Sequence, residues 1–206
     1  MNTTLNVIDQ TNILHIKSIF SEEECREIAN AILRYKENPD PADTIVDLNG
    51  LWSGHPHLHN GFPLPLYQSI LDKFKKGLYA YYESMPKPQN LITNKYKEIT
   101  DWDIMMWAGV TEPGAEMREH VHTNSFISAT VYFQVEDTGR IEFMPYNYVY
   151  RSQLPQWPYY GTAFYEPADG DMILFPSYLL HKVERNPAGW QRVGISFNAI
   201  PFMEQA

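Results

Sequence analysis

His120 and His122 stand two residues apart, His181 follows much later in the chain, and Arg192 comes eleven residues after it. On an extended strand alternate side chains share a face, so the two imidazoles of His120-Val121-His122 can converge on one ion without a special turn. His181, brought in by a distant strand, would complete three ligands. Imidazole suits iron, zinc, copper or nickel, and three protein ligands on one side of an ion leave positions open for substrate and oxygen. The pattern therefore points to catalysis more than to a structural metal. A His-x-His pair alone is a weak signal, because such pairs also occur as packed or exposed strand residues. Arg192 adds weight, since an arginine inside a barrel needs an anion and a carboxylate matches its planar fork. An ion pair of Arg192 with Glu142 or Glu184 is the structural alternative.

The strands that would carry these residues have one polar face each. Between Phe126 and Glu136, Ser128, Thr130, Tyr132 and Gln134 alternate with Ile127, Ala129, Val131 and Phe133. In the last strand Arg192, Gly194, Ser196 and Asn198 share a face opposite Val193, Ile195 and Phe197. Two polar linings of this kind can enclose a cavity. Tyr132 fits core packing as well as a ligand contact, and Ser196 and Asn198 could serve only neighbouring backbone groups.

The rest of the chain must position those strands. Leu14 to Ile19 reads as a short strand, and Ser21-Glu22-Glu23-Glu24 is a capping box at the start of a helix from Glu22 to Lys36. Cys25, Ile28, Ala29, Ile32 and Leu33 form its apolar stripe. Asp43 to Pro65 reads as a long loop, with His55, His57 and His59 in a stretch better suited to a lid than to a second metal site. A second helix is expected from Leu66 to Met85. After Pro86-Lys87-Pro88 come short β-rich runs at Ile99 to Val110, Phe126 to Glu136, Arg140 to Pro145, Met172 to Phe175 and Arg192 to Pro201, with a packed aromatic loop between Tyr146 and Tyr165. Helices first and then many strands predict one α+β domain over residues 1–206. Residues 1–90 form a helical support, and residues 91–206 a mainly β sandwich or barrel with the helices outside.

Composition narrows the partners. A net charge of −9 over 206 residues, with no basic stripe, argues against nucleic acid or an anionic membrane as the principal partner. The single cysteine, Cys25, forms no internal disulfide and fits a reducing compartment. No basic and apolar leader or membrane-length apolar run is present, so a cytoplasmic protein is expected.

The residues also resemble a known superfamily, the iron(II)- and 2-oxoglutarate-dependent oxygenases. Its signature is a His-x-Asp/Glu pair, a distal His, and an Arg or Lys roughly ten residues later; His120, His181 and Arg192 occupy three of those positions. The wording is closest to a subgroup of marine bacteria and their phages, through Trp107, Pro113-Gly114, His120-Val121-His122, Ser128 to Tyr132, Gly170-Asp171, Phe175-Pro176-Ser177, His181-Lys182-Val183 and Arg192 to Asn198. The resemblance covers about Trp102 to Pro201. It implies a double-stranded β-helix, a jelly-roll barrel, that holds Fe(II) and 2-oxoglutarate and uses O2 to hydroxylate a small-molecule or peptide substrate. His120, His122 and His181 would be the metal ligands, with Arg192, Tyr132, Ser196 and Asn198 around the 2-oxoglutarate.

His122 stands where most of the superfamily has an acidic ligand. It can coordinate as a third imidazole, or lie beside a metal held by His120 and His181. In a shifted register His122 and Asn124 would take the two positions, with His120 behind them. Two other functions compete with the leading one: a cupin-like three-histidine dioxygenase that needs no 2-oxoglutarate, and a non-catalytic metal- or ligand-binding barrel. The oligomeric state has no signal in the sequence.

Overall fold

The computed structural model describes residues 11–55, 62–85, 99–144 and 163–203. Helix α1 spans Glu22–Glu37 and begins as its capping box dictates: Glu24 N donates to Ser21 Oγ at 3.3 Å, and Ser21 N donates to Glu24 Oε2 at 2.8 Å. Its stripe of Cys25, Ile28, Ala29 and Ile32 is buried, joined by Ala31 and Tyr35. Helix α2 spans Leu64–Ser84 and buries Ile70, Phe74, Leu78 and Tyr81. Each such side chain removed from water contributes on the order of 1.5–3 kcal/mol.

The strands are β1 (Leu14–Ile16), β2 (Thr44–Leu48), β3 (Leu51–His55), β4 (Ile99–Thr111), β5 (Met117–His120), β6 (Ile127–Gln134), β7 (Ile141–Met144), β8 (Ala163–Tyr165), β9 (Met172–Pro176), β10 (Leu180–Val183) and β11 (Arg192–Met203). They form a seven-stranded sheet in the order β1-β9-β6-β11-β4-β3-β2 and a four-stranded sheet in the order β5-β10-β7-β8, and neighbouring strands among the described residues run antiparallel. Two facing antiparallel sheets with crossed connections make the jelly-roll double-stranded β-helix.

The period-2 pattern of the long strands separates core from cavity. Ile127, Ala129, Val131 and Phe133 of β6 and Val193, Ile195, Phe197 and Ala199 of β11 point away from the smaller sheet and join the core under the helices. Phe74 of α2 stacks on Phe197 with ring centroids 4.0 Å apart, and Phe20, just before α1, meets Phe133 edge-on at 5.2 Å. The helices thus cover the outer face of the large sheet. Its inner face, carrying the alternate residues, is free to line a cavity.

Two expectations change. The Asp43 to Pro65 segment is not a loop throughout, because β2 and β3 form a hairpin that extends the large sheet beside β4. Its turn is Asn49-Gly50, with φ of 53° and 79°, the pair of left-handed residues a two-residue hairpin turn requires. Likewise Ala163–Tyr165, expected in a packed aromatic loop, is strand β8 beside β7. With β1, three strands therefore come from the first 90 residues. The Gly170-Asp171 turn fastens β1 to the start of β9. There the buried Asp171 carboxylate accepts from Ser18 N at 2.9 Å and Ala168 N at 3.1 Å and bonds His15 Nε2 at 2.7 Å. No described helix is long and apolar enough to cross a membrane.

Candidate active site

His120 ends β5, His181 lies on β10, and the two are paired across the smaller sheet. His122 lies two residues beyond the end of β5, where its N–H donates to Ser177 O at 2.9 Å. The extended chain thus keeps both histidines of the pair on one side. The three rings converge, with centroids 4.2 Å apart for His120 and His181, 5.1 Å for His122 and His181, and 5.3 Å for His120 and His122. One ligand nitrogen from each lies within 4.8 Å of the others, and among the described residues no carboxylate or thiolate joins the cluster. His57 and His59 lie outside the described residues.

The outward nitrogens set the chemistry of the inward ones. His120 Nδ1 is 2.8 Å from Arg118 O, His181 Nδ1 is 2.8 Å from Leu179 O, and His122 Nδ1 is 2.8 Å from Asn198 Oδ1. Carbonyl oxygens only accept, so each Nδ1 carries the proton and each Nε2 presents a lone pair. His122 Nε2 and His181 Nε2 are 3.3 Å apart. Two lone pairs at that separation have no proton to share, and a cation between the rings is what the donor set fits. Burial first, with repulsion from His120 added, pushes His122 down to about 4 and His181 down to about 3. Both rings are therefore neutral, as metal ligands must be, at ordinary pH.

A cavity of about 440 Å3 opens from the three histidines toward Arg192, lined also by Trp107, Tyr132 and Ser196. At its far end Arg192 is 6% exposed, with Nε donating to Thr138 Oγ1 at 3.1 Å and one terminal nitrogen to Gly139 O. The other, Nη1, is buried without a partner, and so is the Tyr132 hydroxyl. Burial pushes the Tyr132 phenol up to about 12, against the pull of the Arg192 charge and of the Thr130 hydroxyl beside it, so it stays a donor. Unpaired buried donors cost about 1–3 kcal/mol each and call for an acceptor. No carboxylate pairs with Arg192 among the described residues; Glu184 binds Arg140 at 2.7 Å and Glu142 binds Lys182 at 3.0 Å. The structural alternative of an Arg192 ion pair with either is absent.

Between Arg192 and the histidines two glycines leave part of the cavity wall without side chains. Gly109 and Gly194 are register partners in β4 and β11, and a Cβ built on Gly109 would meet nothing within 4 Å. A side chain at Gly109 would fill the cavity where an elongated ligand could run from the histidines to the arginine. Gly194 lies on the polar face read from the sequence, whereas Gly109 was missed; its alternation with Trp107 and Thr111 is the signal that could have found it. Ser196 lines the cavity and lies 3.5 Å from Thr130 Oγ1. Asn198 sits behind the His122 ring. Asn124 is a turn residue with φ of 55°.

Residues 105–198 match the model of a family described as "Putative 2OG-Fe(II) oxygenase", and the match spans His120, His122, His181 and Arg192. Over those residues the chain is similar to the 2OG-Fe(II) oxygenases. Solved structures agree in fold. A prolyl-4-hydroxylase from Pseudomonas putida is 17% identical, with a TM-score of 0.59 over 95% of this chain and 94% of that one. HygX from Streptomyces hygroscopicus, with nickel and 2-oxoglutarate bound, is 13% identical, with a TM-score of 0.59 over 95% and 85%. The epimerase SnoN from nogalamycin biosynthesis, in complex with Fe3+, alpha ketoglutarate and nogalamycin RO, is 10% identical, with a TM-score of 0.65 over 92% and 79%. No curated protein sequence matches the chain.

Proposed function

We propose that this chain is a 2OG-Fe(II) oxygenase, that it holds ferrous iron on His120, His122 and His181 and the far carboxylate of 2-oxoglutarate on Arg192 and Tyr132, and that it hydroxylates a small-molecule or peptide substrate. The observation that carries the reading is the pair of partnerless buried donors, Arg192 Nη1 and Tyr132 Oη, at the end of the cavity that starts at the histidines. A carboxylate satisfies both at once, and the glycine-floored stretch accommodates the carbon chain of a short dicarboxylate.

Iron and 2-oxoglutarate bound there supply oxidative decarboxylation with O2, yielding succinate and CO2 and oxidising power for a substrate C–H bond. The chain's own part is positioning. Thr138 and Gly139 hold the Arg192 guanidinium so that one edge faces the cavity. The fixed Nδ1 bonds of the three histidines aim their Nε2 atoms at a common point, which spares reorganisation when metal enters. Three neutral imidazoles leave the full charge of a divalent ion on the site. The anionic co-substrate then contributes the negative charge an acidic ligand would otherwise give.

The three-histidine dioxygenase without 2-oxoglutarate is the second reading, favoured by His122 in place of a carboxylate. It gives Arg192 and Tyr132 no partner. Binding of 2-oxoglutarate to the metal-loaded protein, followed by succinate release under O2, tests the leading reading; neither binding nor succinate would leave the second.

A further inference from the structure

Among the three histidines, His122 alone owes its tautomer to a side chain. His120 and His181 donate to the backbone carbonyls of Arg118 and Leu179, which can only accept. The partner of His122 is the Asn198 amide, which has an accepting end and a donating end. If the donating end faced the ring, His122 Nδ1 would accept and Nε2 would carry the proton. That proton would point at His181 Nε2, 3.3 Å away, and the two rings would close on each other. Free histidine itself favours the Nε2–H form, so the metal-binding tautomer must be imposed from outside the ring.

Behind Asn198 lies a run of hydroxyls, and the one next to it, Ser128, sets which end faces His122. Ser128 Oγ donates to the same Asn198 Oδ1 at 2.8 Å, Ser128 and Ser177 hydroxyls are 2.8 Å apart, and Ser177 Oγ donates to Ser125 Oγ at 2.9 Å. Ser128 and Ser177 are 0% and 1% exposed. A hydroxyl has one proton: Ser177 gives its own to Ser125, and Ser128 gives its own to Asn198. The amide oxygen then receives two donors, Ser128 and His122, and turning the amide would break both bonds. Ser128 and Asn198 are also register partners in β6 and β11, which fixes their spacing by the sheet itself.

We propose that Asn198 is the positioning residue that makes His122 a metal ligand, with Ser128 holding its amide oxygen toward the ring. This deepens the proposed metal site and rests on it. Substitution of a group behind a ligating histidine weakens metal binding by about 10–100-fold. Asn198→Leu, of similar size but without an acceptor, should lower Zn(II) affinity by that amount in chelator competition. Ser128→Ala should lower it less, and Asn198→Asp, which can only accept, should hold it at or above the wild-type value. A packing role predicts the opposite order, with leucine harmless and aspartate harmful.

The tautomer gives a second readout that needs no metal. Long-range 1H–15N correlation spectra of the metal-free, 15N-histidine-labelled full chain should show His122 protonated at Nδ1 in the wild type and Asn198→Asp. In Asn198→Leu the proton should move to Nε2. An Nε2–H ring in the wild type, or wild-type Zn(II) affinity in Asn198→Leu, overturns the assignment. If Asn198→Leu does not fold, wild-type affinity and an Nδ1–H/Nε2–H balance in Ser128→Ala identical to that of the wild type overturn it equally. Zn(II) binding that His181→Ala leaves intact would overturn the metal site and this role together. Binding lost in His181→Ala but kept in Asn198→Leu would overturn the Asn198 role alone.

Discussion

His122 Nε2 faces His181 Nε2 across 3.3 Å while the opposite nitrogen of each ring is committed to an oxygen, at Asn198 and at Leu179. Two neutral imidazoles held lone pair to lone pair form a site that is complete only with a cation. Removing one donor should therefore be felt as lost metal. His181→Ala is expected to abolish stoichiometric Fe(II) or Zn(II) binding, and His122→Ala to weaken it by at least about 10-fold. His122→Asp, which restores the acidic ligand common in the superfamily, should retain binding. Metal content after gel filtration checks all three; full occupancy in His122→Ala would remove that ring from the coordination sphere.

The same two rings predict a pH dependence for the metal-free protein. Their folded-state values, about 4 for His122 and about 3 for His181, lie below the unfolded value near 6.5, so the unfolded chain binds more protons in between. Stability from this source is full above about pH 6.5 and falls as pH drops toward 4 and below. The melting temperature of the metal-free wild type should drop more between pH 7.5 and 5 than that of a His122→Gln/His181→Gln variant. Parallel profiles would contradict the burial of neutral rings.

Arg192→Ala should lower 2-oxoglutarate affinity by about 10–100-fold, the worth of a charge-assisted pair of roughly 1.5–3 kcal/mol. Tyr132→Phe separates ligand binding from folding more cleanly. It removes a buried hydroxyl that has no partner without ligand, so the ligand-free protein should become more stable while 2-oxoglutarate affinity falls. Thermal unfolding with and without 2-oxoglutarate reads both effects. A Tyr132→Phe protein that loses stability in the absence of ligand would show that the hydroxyl serves the fold.

Gly109 gives a steric test. Its φ is not left-handed, and a Cβ there meets nothing within 4 Å, so Gly109→Val should fold and still bind metal. The branched side chain would project into the cavity between the histidines and Arg192, and 2-oxoglutarate affinity should fall by roughly 10-fold or more in a calorimetric titration. Unchanged affinity would place the co-substrate elsewhere. Gly194 does not offer the same test, because a Cβ there would lie 2.7 Å from Val131 O and disturb the sheet itself.

Patterns local in sequence were legible in the chain alone. The capping box fixed the start of α1, and period-2 alternation in β6 and β11 separated the helix-facing residues from the cavity-facing ones. The types and spacing of His120, His122, His181 and Arg192 pointed to what the fold brings together, three converging rings and a buried arginine on one cavity. What escaped depends on pairing across the sheets. The β2–β3 hairpin carried its signal in Asn49-Gly50, but its short strands lack clean alternation and are stabilised by joining β4. Gly109 matters through the strand it faces, since only its register with Gly194 shows that the cavity wall is bare. Asn198 reads from its face alone as a cofactor contact; its neighbour on the next strand, Ser128, and the ring of His122 draw it to the metal side instead. Short-range spacing cannot show such a partnership across 76 residues.

Whether one cavity holds both ferrous iron and 2-oxoglutarate is tested most directly by anaerobic titration of the Fe(II)-loaded protein with 2-oxoglutarate, followed by visible absorption. The weak charge-transfer band of a keto acid chelated to iron is expected, saturating with 2-oxoglutarate in the wild type and shifted to much higher concentrations in Arg192→Ala. No band in an iron-loaded wild-type protein, or an identical titration in Arg192→Ala, would contradict a shared cavity.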